Sequence, residues 1–139
     1  MNTPPAETAP PVATYDYAVL RVVPRVDRGE FINAGVIVCC AAQGYLKAGI
    51  ALDEARLQAL CPTADLPALQ AALAAVPAVC AGGEAAGALG RLSLRERFDW
   101  LVAPRSASVQ TSPVHSGRCG GALDLTLAHL MRRLVICLK

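Results

Sequence analysis

Two groups of polar side chains stand where the surrounding sequence is apolar, and both contain residue types that bind ions or ligands. The first is Arg21, Glu30 and Asn33. Arg21 lies inside Tyr15-Asp-Tyr-Ala-Val-Leu-Arg21-Val-Val-Pro24, and Asn33 inside Glu30-Phe-Ile-Asn33-Ala-Gly35-Val-Ile-Val38. Polar groups within such runs cost free energy unless they are paired, so they need a reason. Glu30, at the mouth of the turn, and Arg21 are a carboxylate and a guanidinium able to pair through two hydrogen bonds. With Asn33 they would frame a polar pocket for an anion or a carboxyl-bearing ligand. The alternative is a structural pair that fixes strand register, with Asn33 bonded to the turn backbone.

The second group is Trp100, Arg105, Gln110, Ser112 and His115, in Trp100-Leu-Val-Ala-Pro-Arg105 and Gln110-Thr-Ser112-Pro-Val-His115-Ser116-Gly117. A serine beside a histidine suggests a nucleophile and its base. Neighbours on a strand point to opposite faces, however, and no strand-turn-helix elbow surrounds Ser112 or Ser116. The segment therefore reads as a ligand- or partner-binding edge, or as a turn built from hydroxyl and imidazole bonds to backbone. No residue is assigned a catalytic role.

The elements that must position these groups follow from periodicity. Strands are expected from about Tyr15 to Val23, Phe31 to Ala41 and Tyr45 to Leu52, joined by connections short enough to require antiparallel pairing. Strict alternation puts Ala18, Leu20, Val22, Ile32, Ala34, Val36, Val38 and Cys40 on one apolar face. Arg21, Asn33, Gly35, Ile37 and Cys39 fall on a mixed second face. Helices are expected at 53–60, from Asp65 to Val76 or Cys80, from the Ser93-Leu-Arg-Glu96 capping box to Pro104, and at 122–138. The glycines of 81–90 mark a flexible connection. Ser108 to Val114 reads as a fourth strand that Pro113 confines to an edge. The expected fold is a single α+β domain over 15–138. Its antiparallel three- to four-stranded meander is covered by helices on one face, and a disordered proline-rich tail spans 1–14.

Composition narrows the function classes. The 139 residues carry a formal charge of +2, too little for an electrostatic footprint on nucleic acid or an anionic membrane. No apolar run reaches the ~20 residues of a spanning helix. The first residues lack the basic and apolar regions of a secretory signal, so a cytoplasmic location is expected. The six cysteines form no C-x-x-C pair, and with two histidines they offer no metal set; no cofactor is expected.

Four segments carry a resemblance: Tyr15–Pro24, Glu30–Val38, Arg97–Arg105 and Val109–Gly117 resemble the bacterial family called domain of unknown function 3037 over about Tyr15 to Val135. That family has no established activity. Its members are often encoded beside a HipA-like kinase, so the resemblance implies a partner protein in a regulatory pair. The expected function is a non-enzymatic interaction module that binds a HipA-like kinase or a second copy of itself. The alternative is an enzyme for small molecules or nucleotides, which requires Arg21, Glu30, Arg105 and His115 to converge on one pocket.

Overall fold

The structure, a computed structural model, describes residues 12–136. Its strands are β1 (Ala13–Val22), β2 (Ile32–Cys40), β3 (Tyr45–Ile50), β4 (Val109–Thr111) and β5 (His115–Cys119). Its helices are α1 (Glu54–Leu60), α2 (Leu66–Ala81), α3 (Leu94–Val102) and α4 (Leu123–Leu134). Every strand pairing is antiparallel, in the order β3-β2-β1-β4, with β5 also on β1. The α+β class, the single domain and the antiparallel meander are as expected. β4 and β5 follow one another along the same edge of β1, so five strands fill four positions. β1 begins at Ala13, so Ala13 and Thr14 are strand rather than tail, while residues 1–11 of the expected tail lie outside the described residues.

Two register shifts shape the sheet. Leu20 faces Gly35 while Arg21 faces Asn33, which leaves Ala34 as an extra residue on β2. This bulge changes which side chains share a face. Ile32 and Ala34 accompany Val22, but beyond the bulge it is Ile37 and Cys39 that join Leu20, and Val36, Val38 and Cys40 turn to the other side. The unbroken alternation expected for β2 is corrected accordingly. The second shift separates β4 from β5. Thr111 faces Leu20 and His115 faces Tyr17, so residues 112–114 span only two residues of β1.

The bulge also explains why both faces of the sheet are covered, where helices on one face alone were expected. On one face Leu20, Ile37, Cys39 and Leu46 pack against Val76, Val79 and Cys80 of α2 and Phe98 and Leu101 of α3. At the end of the same face Val22, Ile32 and Ala34 meet Leu57 of α1 and Leu69 and Leu73 of α2. On the opposite face Val36, Val38 and Cys40 meet Leu123, Leu130 and Met131 of α4, and Val135 just beyond it. Cys39 and Cys40 thus point to opposite faces, as adjacent strand residues must. Phe98 is wholly buried, and a phenyl removed from water contributes about 1.5–3 kcal/mol.

Local signals set the helix starts. Asp53 and Asp65 accept hydrogen bonds from the backbone N–H groups of Arg56 and Ala68, and Ser93 with Glu96 completes a reciprocal capping box before α3. The connection expected at 81–90 winds into 3-10 turns over Glu84–Arg91. It is closed by a bond from the Gly83 N–H to the Gly90 carbonyl, and Gly87 supplies a φ of 63° that other residues rarely adopt.

Candidate functional site

α3 carries Trp100 to the surface because the helix commits its neighbours Phe98 and Leu101 to the core. Trp100 remains 41 % exposed. Ala103 and Pro104 end the helix, and Arg105 folds back so that its guanidinium carbon lies 4.4 Å from the centre of the indole. Arg105 also donates to the carbonyl oxygens of Trp100 and Ala103, taking up acceptors that the helix end leaves free. The indole is thereby held under a cation instead of swinging freely.

Beside this pair runs an apolar groove of about 420 Å³, walled by Ala75, Val79, Leu89 and Trp100 and floored by Val109 and Thr111 of β4. β4 is the edge of the sheet. Ser112 N–H bonds to the Val19 carbonyl and Val23 N–H to the Ser108 carbonyl, so the even-numbered residues of this strand face β1. The N–H and C=O groups of Val109 and Thr111 then point away from β1, toward the groove.

Arg21 and Asn33 face each other across β1 and β2, so they share a face as expected, and Gln110 of β4 flanks Arg21 on its other side. Glu30 does not join them. It pairs with Arg28 in the exposed β1–β2 turn, and that guanidinium holds its carboxyl below the usual range. Arg21 lies instead 4.2 Å over the ring of Phe31. Asn33 donates to the Leu134 carbonyl at the end of α4 (3.1 Å), and Gln110 to the Ala107 carbonyl (2.7 Å).

His115 stacks on its cross-strand neighbour Tyr17, with ring centres 5.4 Å apart. Ser116, on the reverse face, donates to Asp16, so neither serine approaches the imidazole as a nucleophile would. Ser112 is buried within the sheet ladder. The four groups required by the pocket alternative are therefore dispersed. Arg105 lines the groove on the α2–α3 side, Glu30 sits in the exposed turn, and Arg21 and His115 lie on the α4 side about 13 Å apart along β1.

The sequence gave no warning of one polar network. Asp16 accepts from Ser116 of β5 and from Arg95 of α3, both at 2.6 Å, and Arg95 also reaches Asp99. It ties the edge strand, the central strand and α3 together, and an acid among apolar strand residues was its only trace. The Ser116 hydroxyl and then the Arg95 guanidinium hold the Asp16 carboxyl below its ordinary range. A depressed carboxyl contributes stability that is complete above about pH 5 and is lost as the pH falls through 4 and below. We expect Asp16→Asn to melt below wild type at neutral pH and the two curves to converge near pH 3. A melting-temperature difference independent of pH would contradict this assignment.

The cysteines fit as core residues. Cys39, Cys40, Cys61 and Cys80 are buried free thiols, and burial pushes Cys39 up to about 11 and Cys80 up to about 12. Cys137 lies outside the described residues. Among the described residues no cluster of His, Cys, Asp or Glu could hold a metal ion, and no single helix is long and apolar enough to cross a membrane.

A helix-flanked antiparallel sheet with a groove along its edge strand defines a small α+β domain. Within that class the chain belongs to the family described as protein of unknown function (DUF3037), whose model matches residues 17–135. Comparisons with curated proteins and with solved structures found no match.

Proposed function

We propose that this protein is a non-enzymatic interaction module that receives an extended segment of a partner protein along β4, in the groove beside Trp100. The observation that carries this reading is the coincidence of outward-facing backbone groups on an edge strand with an apolar trough walled by a half-exposed indole. Outward N–H and C=O groups bind another extended chain, and alternate side chains of that chain would enter the trough. A stiffly held tryptophan beside an arginine is the kind of pair that dominates interface energetics. The HipA-like kinase suggested by the family resemblance is the partner to test first, and the setting is the bacterial cytoplasm, where free buried thiols remain reduced.

Trp100 is the only tryptophan, so intrinsic fluorescence reports on the groove directly. Full-length protein mixed with the kinase at micromolar concentration should co-elute in size-exclusion chromatography and shift the Trp100 emission. Trp100→Ala should weaken the complex by about 30-fold, the effect of losing an interface anchor worth about 2 kcal/mol. Separate elution, or a complex indifferent to Trp100→Ala, would overturn the proposal.

A further inference from the structure

Arg21 is the centre of a second arrangement on the α4 side of the sheet. It projects from the central strand and is only partly exposed. Its Nε is buried and has no hydrogen-bond partner among the described residues, and none of the ion pairs among those residues includes it. Arg25, Arg28 and Arg95 have carboxylates, and Arg97 and Arg105 have carbonyl oxygens. A half-buried cation left without an acceptor is costly, which makes a missing anion the economical explanation. Nor does the guanidinium serve to cap α4, since the Leu134 carbonyl nearby is already taken by Asn33.

The surroundings fix both the geometry and the class of ligand. Phe31 supports the guanidinium from one side, and Asn33 and Gln110 flank it on the neighbouring strands. Each carboxamide is tethered through its nitrogen to a backbone carbonyl. A ligand therefore meets one planar monocation bordered by amide groups whose oxygens accept hydrogen bonds. A phosphate dianion brings acceptors only and leaves those oxygens unserved. A carboxylate next to an amide N–H brings both an anion for the fork and a donor for its neighbours.

We propose that Arg21, backed by Phe31 and flanked by Asn33 and Gln110, is a binding site for a carboxylate that adjoins an amide N–H, the chemistry of an N-acylated amino acid or a peptide end. This site is independent of the groove: it lies on the other face of the sheet and shares with it only β4.

The buried Nε–H of Arg21 is slow to exchange with water, so its own nitrogen-proton resonance can be followed in the full-length protein. Titration with N-acetylalanine should shift that resonance saturably. N-acetylalanine amide, which lacks the charge, and inorganic phosphate should each bind about tenfold more weakly or worse, as expected for loss of charge-assisted hydrogen bonds. Arg21→Lys should retain the fold, judged by its backbone amide spectrum, and lose the preference for carboxylate over phosphate. An Arg21 resonance unmoved by N-acetylalanine, or moved equally by the amide or by phosphate, would overturn the assignment without reference to any variant.

Discussion

Gly35→Ala is expected to destabilise the fold by about 3 kcal/mol, at the upper end for inserting one methyl into a packed interior. A Cβ at this position would stand 2.4 Å from the Gly49 carbonyl oxygen and 2.9 Å from Leu20 Cδ1. Leu20 is itself fully buried, and the carbonyl belongs to the backbone of β3 in mid-ladder, so neither can retreat without breaking sheet hydrogen bonds. Backbone freedom is not the issue, because Gly35 does not have a positive φ. The control is Gly121→Ala, where a new methyl meets nothing within 4 Å and φ is also ordinary. Urea denaturation followed by far-ultraviolet circular dichroism should show a large fall in midpoint for the first variant and almost none for the second. Equal midpoints would mean that β2 and β3 do not approach as closely as described.

The same glycine marks where the sequence stops being readable. Up to Gly35 simple alternation assigns each side chain to its observed face, including the shared face of Arg21 and Asn33. Beyond it the alternation is displaced by one residue at Ala34. Nothing in Asn33-Ala-Gly35-Val announces this, because Val36, Ile37 and Val38 are apolar whichever way they point. A face-by-face reading therefore mistook a doubly buried strand for one with a single buried face, and left α4 without a surface to cover. Capping residues were more legible. Asp53, Asp65 and Ser93 start helices through contacts a few residues away, and such local bonds need no knowledge of tertiary structure.

The candidate site divides along the same line. Trp100 stood off the apolar stripe of its helix, and its exposure follows from periodicity. The partner of Glu30 was open to error because Arg28 lies two residues away and Arg21 nine, and the shorter connection won. The Asp16–Ser116–Arg95 cluster joins residues 79 and 100 positions apart in the chain, a distance at which sequence pattern carries no pairing information. Residue type said that Arg21 needed an acceptor, and only the fold shows that the nearest carboxylate in sequence does not supply one.

Ser112→Ala is expected to cost about 2 kcal/mol, the penalty of a buried donor deprived of its acceptor. The reason lies in Pro113, which has no N–H to give to the ladder, and in the extra residue that separates β4 from β5. At this interruption the backbone of β1 would lose a partner. Ser112 restores it: its Oγ accepts the Val19 N–H at 2.8 Å, its own N–H donates to the Val19 carbonyl at 2.8 Å, and its hydroxyl proton goes to the Pro113 carbonyl at 2.9 Å. Every hydrogen-bonding capacity of the side chain that the ladder needs is thus spent on structure, which accounts for a 4 % exposed serine in the middle of a segment rich in candidate nucleophiles. Because β4 floors the groove, the variant should also loosen the proposed docking edge. Amide exchange of Val19 should accelerate together with the fall in denaturation midpoint, while Ser116→Ala, at an exposed position of β5, leaves Val19 protected. If Ser112→Ala unfolded at the wild-type midpoint with Val19 still protected, the hydroxyl would not be the ladder partner, and the interruption between β4 and β5 would need another source of order.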